Sequence, residues 1–299
     1  MKKRMVALLM ALCLLVGLVP VVFATGVITS GTCGENLTWR LEGDTLYIEG
    51  EGDMEDYELG GYVESPFAYY STAPWARMKF TKVELAPGVT SIGDQAFFYC
   101  EELTEINLHE TKVQRMGELA FAHTNLHSIA LPEGLTTIPY RAFDVCSLKE
   151  ISIPESVTRI ESRAFGYTNL TIVLPKNLSS LGENVFMYAE GDVYFTGDAP
   201  EIIPPIAEDT NGTFGFFQGT VYYPGDNPSW TEDIINENSE WCPWVPYIQN
   251  PFTDVTPSDY YYTPVLWALE KGITSGTSDT AFSPYDSCLR SQVVTFLWR

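Results

Sequence analysis

Between Phe80 and Phe195 the chain repeats itself, and no other feature of its 299 residues restricts the fold as much. Ala-Phe pairs stand at Ala96-Phe97, Ala120-Phe121, Ala142-Phe143 and Ala164-Phe165, with Val185-Phe186 as a degenerate fifth copy. The phenylalanines are 24, 22, 22 and 21 residues apart. Other apolar positions keep the same register, so that Leu131, Leu135, Ile138 and Phe143 correspond to Ile153, Val157, Ile160 and Phe165. The unit reads Leu-x-x-Ile-x-Leu-Pro-x-x-Val-x-x-Ile-x-x-x-Ala-Phe-x-x-Cys/Thr.

One such unit offers about six apolar side chains and no second layer to bury them against, so it folds only when stacked on its neighbours. Alternation in Val83-Glu84-Leu85 and Ile151-Ser152-Ile153 gives short strands with one face inward and one in water. A period of 20–29 residues with such a strand is the signature of a leucine-rich-repeat solenoid. The Ala-Phe pair and the Leu-Pro after the strand resemble the BspA-type leucine-rich repeats of bacterial surface proteins. That resemblance implies a mainly β solenoid, a right-handed coil with β caps. The side chains expected outward on its concave face are Glu84, Asn107, Ala130, Ser152 and Val173, a column without aromatic or charge theme.

The chain opens on Met1-Lys2-Lys3-Arg4, an apolar run from Met5 to Val19, and Val22 and Ala24 at the −3 and −1 positions of a cleavage site. This predicts a secretory signal peptide over residues 1–24. The alternative, a retained anchor, has an apolar run short of the ~20 residues of a span, and Leu12 before Cys13 excludes a lipoprotein site. No other segment reads as membrane-spanning. Cleavage leaves 14 basic against 39 acidic residues, a net charge of −25, which repels nucleic acid and anionic lipid. The acids are scattered, without an Asp-x-Asp-x-Asp-Gly loop, and read as solvated faces.

Cys33, Cys100, Cys146, Cys242 and Cys288 remain. Cys100 and Cys146 occupy one slot in repeats two apart, ~10 Å at the spacing of strands, beyond disulfide reach. They are expected as buried thiols, with Thr124 and Thr168 in the same slot. No cysteine spacing fits a metal. His123 and His127 are four apart but lack a third ligand, so neither metal nor cofactor is expected.

Residues 25–78 have a different texture and are predicted as an N-terminal β cap, closing the exposed core of the first repeat. Leu37–Leu41 and Leu46–Ile48 around Glu42-Gly43-Asp44-Thr45 read as a hairpin. Phe67, Tyr69, Tyr70 and Trp75 read as cap packing, with a sugar-stacking platform as the alternative. Gly34 to Trp39 and Ala73-Pro74-Trp75 resemble leader modules of secreted proteins from Gram-positive gut bacteria. Five repeats fill residues 79–195. Residues 196–249 are assigned to a C-terminal cap and linker, closed by Trp230, Trp241 and Trp244, with Pro246 to Pro251 as the linker.

Residues 250–299 carry Phe252-Thr253-Asp254-Val255, Trp267-Ala268-Leu269-Glu270-Lys271-Gly272-Ile273, Gly276, Phe282-Ser283-Pro284 and Leu289-Arg290-Ser291-Gln292-Val293. They resemble an S-layer homology (SLH) repeat and predict a small α-helical module, with a helix from about Tyr261 to Lys271 and a second near Ser287. The resemblance implies binding of cell-wall polysaccharide, with Asp254, Trp267, Gly276 and Arg290 at the positions of the family's motif. Arginine suits a ketal carboxylate and a tryptophan face suits a sugar ring; for Trp267 a core role is the alternative, and Phe282 reads as core. The family's Thr-Arg-Ala-Glu appears as Leu289-Arg290-Ser291-Gln292, keeping only the arginine. One copy is present where family members usually carry three, so the sequence is a fragment or this copy associates with others.

Together these features predict a non-enzymatic cell-surface protein, secreted and held on the wall of a Gram-positive-type bacterium by wall polysaccharide. It would display its repeats to a protein or glycan partner, with no nucleic acid or membrane partner after signal cleavage. The alternatives are a self-associating wall-coat component and the non-catalytic part of a wall-active enzyme. No Gly-x-Ser-x-Gly or His-Glu-x-x-His pattern occurs.

Overall fold

The computed structural model describes residues 29–60, 70–203, 212–247, 250–255 and 262–286. The signal peptide, Phe67 and Tyr69, Cys288, Arg290 and the expected second helix lie outside the described residues.

The hairpin forms as predicted. Leu37–Glu42 pairs antiparallel with Thr45–Asp53 in a register that sets Glu42 opposite Thr45, and Gly43 takes φ 61° in the two-residue turn, where a glycine first position suits a hairpin. Leu37, Trp39, Leu46 and Ile48 are buried, and their alternation fixes which face packs. The second hairpin strand then joins the repeats. It runs parallel to Lys82–Leu85, with Ile48 opposite Leu85. Past Gly50 (φ 111°) it pairs with Gly88–Ile92, and the register shifts between Gly52 and Asp53. Glycines permit that bend because a side chain is strained at such φ.

Parallel ladders then link strands one repeat apart. Ile138, Ile160, Leu181 and Ile202 stand in register along one ladder. On another face Ser128–Ala130 pairs with Glu150–Ser152, and Ile172–Val173, Val193–Tyr194, Val221–Pro224 and Trp244–Tyr247 pair each with the next in that order. The last strand includes Pro246, assigned above to the linker. Proline is tolerated because this is the edge strand, whose outer N–H groups need no partner.

The Ala-Phe segment forms a third run, built differently. The N–H groups of Gln95, Phe97 and Tyr99 donate to the carbonyls of Glu118, Ala120 and Ala122 one repeat on. Those of Ala96, Phe98 and Cys100 donate back three residues, to Gly93, Gln95 and Phe97. This alternation satisfies each buried amide in turn, and it puts Gln95 and Tyr99 in the left-handed region. The same two positions recur there as Leu119 and His123, Arg141 and Val145, Arg163 and Tyr167, Asn184 and Tyr188.

Inside that run the phenylalanines make a continuous column. Trp75, Phe97, Phe121, Phe143, Phe165, Phe186 and Phe214 stack with centroids 5.9, 5.4, 5.6, 5.7, 5.9 and 5.4 Å apart. Trp75 is fully buried and its Nε1 donates to Ala96 O at 2.7 Å, so it is the first rung and not a sugar platform. At the other end Trp244 packs on Phe214 and Phe195, and Trp230 on Phe195. Trp241 instead packs on Phe216, which is exposed.

The small slot after the phenylalanine holds polar groups that bond to the backbone. Thr124 and Thr168 hydroxyls donate to the carbonyls of Phe121 and Phe165 at 2.9 and 2.8 Å. Cys146 Sγ lies 2.8 Å from Phe121 O. Cys33, Cys100, Cys146 and Cys242 are free and buried, as expected for Cys100 and Cys146. Burial pushes the Cys100 thiol up to about 12 and the Cys146 thiol up to about 11.

Candidate functional site

Two places have a geometry suited to binding: the open face of the strand ladder, and the C-terminal unit.

On the ladder, the residues expected outward divide by what they do. Ser152 and Val173 are exposed, and Ala130 stands opposite Ser152. Asn107 is engaged. Its Oδ1 accepts from Leu85 N at 2.8 Å and its Nδ2 donates to Leu85 O at 3.0 Å, tying two repeats together through an amide that replaces strand pairing. Beyond Val173 the column becomes aromatic, which the sequence reading missed. Tyr194 stands opposite Val173 and Tyr222 opposite Tyr194. Their rings stack at 4.5 Å and 6°. The available signal was the tyrosine after Val193 and after Val221, each in the outward position of its strand.

Two cavities open on this face. One of about 410 Å³ lies among Ile106, His109, Ser128–Ala130 and Glu150–Ser152. The other, about 420 Å³, lies among Ile151–Ile153, Glu155, Val173–Lys176 and Thr196. They share Ile151 and Ser152, so they form one trough across successive strands. Its floor is apolar and small-residue, its sides polar. Glu155 is already occupied, because Oε2 accepts from Lys176 N at 3.1 Å. The trough offers shape and hydrogen bonds to an extended partner. His123 and His127 take no part in it: His123 stacks on Tyr99, and His127 Nδ1 bonds Asn125 O at 2.8 Å.

The C-terminal unit has its own small core of Phe252, Val255 and Val265, with Leu269 and Phe282 packed against it. The helix spans Tyr262–Glu270. It ends in a Schellman arrangement: Gly272 at φ 64°, with Gly272 N donating to Leu269 O and Ile273 N to Ala268 O. Asp254 fixes the following loop, its Oδ1 and Oδ2 accepting from the N–H groups of Phe282 and Ser283 at 2.8 and 2.7 Å. The Phe282 bond leads in holding its carboxyl below the usual carboxylate range. Gly276 is required by space: at φ 79°, a Cβ there would lie 2.3 Å from Phe252 Cε1. Trp267, in contrast, is 55% exposed, a large apolar face turned to solvent. Of the four residues singled out by sequence, Asp254 and Gly276 therefore shape the unit and Trp267 stands free on its surface. Among the described residues, no helix is long and apolar enough to cross a membrane.

Residues 73–191 match the BspA type leucine rich repeat region in six copies, and residues 251–294 match the S-layer homology domain. The chain thus joins a repeat region of BspA type to an SLH domain at its C-terminal side. No curated protein matches it. Among solved structures, a leucine-rich repeat protein from Eubacterium ventriosum is 18% identical, over 65% of this chain and 66% of that one, with a TM-score of 0.37. A leucine rich cell surface protein from Faecalibacterium prausnitzii is 19% identical over 65% and 70%, with a TM-score of 0.37. The pneumococcal vaccine antigen PcpA is 14% identical over 66% and 64%, with a TM-score of 0.39. The aligned part spans just under two thirds of the first of these proteins.

Proposed function

We propose that the chain is a secreted cell-surface protein of a Gram-positive-type bacterium, exported by residues 1–24 and held non-covalently on wall polysaccharide by residues 250–299. Residues 79–195 form a right-handed leucine-rich-repeat solenoid, with residues 25–78 and 196–249 covering its ends, and display it for protein or glycan binding. The observation that carries this reading is the presence, in one chain, of BspA-type repeats and an SLH domain. The parallel ladders support the solenoid, and the trough supports binding by its open face. For the anchor, the exposed Trp267 ring offers a sugar a face, and Arg290 supplies the charge-assisted fork. Asp254 and Gly276 contribute by holding the loop beside them. This is a binding protein, not an enzyme.

Co-sedimentation of residues 25–299 with Gram-positive wall sacculi tests it, before and after the secondary polysaccharide is stripped. Binding should appear with intact walls, vanish on stripping, and fall in Trp267→Ala and Arg290→Ala. Binding that survives stripping, or none to intact walls, would remove the anchoring function.

A further inference from the structure

One position of each repeat faces neither the core nor the trough. Two residues after each core phenylalanine come Tyr99, His123, Val145, Tyr167, Tyr188 and Phe216. All six have φ between 55° and 60°, a conformation that bulky and β-branched residues rarely adopt. Four of them are exposed as well: Val145 39%, Tyr167 51%, Tyr188 39% and Phe216 36%. The backbone explains the φ, but not why water-facing positions carry rings where glycine or asparagine would be unstrained.

The rings form a ridge along the repeats. Tyr99 stacks on His123 at 4.0 Å, Tyr167 on Tyr188 at 5.0 Å, Tyr188 on Phe216 at 4.7 Å, and Phe216 meets Trp241 at 4.5 Å. It is interrupted once, at Val145. His123 has one face against Tyr99, and Tyr167 has one against Tyr188. The Val145 rung comes between them in the order of the repeats, so the His123 and Tyr167 rungs are two repeat spacings or ~10 Å apart. A flat ring above the Val145 isopropyl group would lie ~5 Å from each, within stacking distance.

A cavity of about 220 Å³ opens on the His123 side of this break, lined by Glu101, His123, Thr124, Asn125, Val145 and Ser147. It is smaller than the ~300–1,000 Å³ of pockets for drug-sized ligands and fits a single ring. Its lining decides the chemistry. The Glu101 carboxylate, the Asn125 amide and the Ser147 hydroxyl line it, with no lysine or arginine among the lining residues, in a chain of net charge −22; the Thr124 hydroxyl is buried and already donated to Phe121 O. An anionic group would be repelled. An aromatic side chain would cover the rim and leave its polar groups unpaired. A pyranose has apolar C–H faces for the two rings and hydroxyls at its edge for the carboxylate and amide. Burial, and then the charge of Arg141, holds His123 below its ordinary value, so its imidazole is neutral at pH 7 and both donates and accepts.

We propose that the break in the exposed ridge, between His123 and Tyr167 over Val145, is a binding site for one pyranose ring of a neutral glycan. The inference deepens the reading that the repeats are the displayed, ligand-bearing part of the chain, and rests on it.

The test is titration of the purified chain with cellohexaose, xylohexaose, mannohexaose and chitohexaose, followed by tyrosine and tryptophan fluorescence. At least one should bind saturably. Val145→Tyr completes the stack with a residue that Tyr99, Tyr167 and Tyr188 show the slot accepts, and should weaken binding about tenfold with an unchanged thermal midpoint. His123→Ala should weaken it similarly, and carries the test if the tyrosine variant fails to fold. Glu133→Ala, at an exposed position off the ridge, should leave it unaltered, which ties any loss to the ridge itself. Saturation by none of the four sugars, equal affinity in the ridge variants, or tighter binding of N-acetyltyrosinamide would overturn the proposal. Wall co-sedimentation does not pass through Val145, so the anchoring function stands or falls separately.

Discussion

Replacing Asp144 with asparagine should stabilise the protein at neutral pH and change little in acid. Asp144 follows the core residue Phe143 and is 6% exposed. Its Oδ1 has no hydrogen-bond partner among the described residues, and Oδ2 lies 3.5 Å from Arg141 Nε, which is itself without a hydrogen bond. Gly166 makes the room, since a Cβ there would lie 2.5 Å from Oδ1. Burial raises the carboxyl from 3.8 to about 6, against the pull of Arg141 and Arg163. A raised folded-state value means that the folded chain binds the proton more tightly than the unfolded one. The stability contributed is fully present below 3.8 and is lost as pH rises through about 6. At about 1.4 kcal/mol per pH unit, the loss amounts to about 3 kcal/mol. Asparagine keeps the shape without the charge. Urea unfolding at several pH values measures the difference between variant and wild type. It should be near zero at about pH 4 and grow to about 3 kcal/mol by pH 7.5, a midpoint shift of roughly 1 M at an m-value of about 3 kcal/mol/M. A difference that does not vary with pH, or a less stable variant at pH 7.5, would refute the reasoning.

Phe143→Ala opens a void in the middle of the ring column and should cost about 3–5 kcal/mol in chemical denaturation, whereas Tyr167→Ala, at 51% exposure, should cost far less. The four described thiols should resist an aromatic disulfide reagent at pH 8 until the chain unfolds, because burial both hides them and suppresses the thiolate; prompt reaction of Cys100 would contradict the packing. Asp254→Ala should free the amides of Phe282 and Ser283, seen as faster hydrogen exchange. In the wild type that carboxylate's contribution is present above its ordinary 3.8 and is lost as pH falls through its lowered folded value, so the same two amides should lose protection in acid.

The sequence revealed the register because every repeat must fill the same slots. Phe97, Phe121, Phe143, Phe165 and Phe186 are legible as one column since their spacing varies by only three residues. Trp75 stands 22 residues before Phe97, so the signal was present, but a different residue type concealed it. Phe214 follows Phe186 after 28 residues, and the longer interval broke the count. The hairpin was legible from Glu42-Gly43-Asp44-Thr45, where turn chemistry is local. In the C-terminal unit the motif was legible and the tasks of its residues were not. Asp254 and Gly276 have neighbours 24–29 positions away, Phe252, Phe282 and Ser283, which no local pattern names.

The sequence by itself determined the repeat length, the inward and outward positions of the strands, the buried Cys/Thr slot and the hairpin, because each follows from local spacing and the need to bury apolar groups. Tertiary structure decided what neighbouring repeats do to one another. Asn107 became a tie between strands, Tyr194 and Tyr222 a stacked pair, and His123 one wall of a gap. Each is a relation between residues about one repeat apart, whose backbone φ and ring planes are fixed only when the repeats pack.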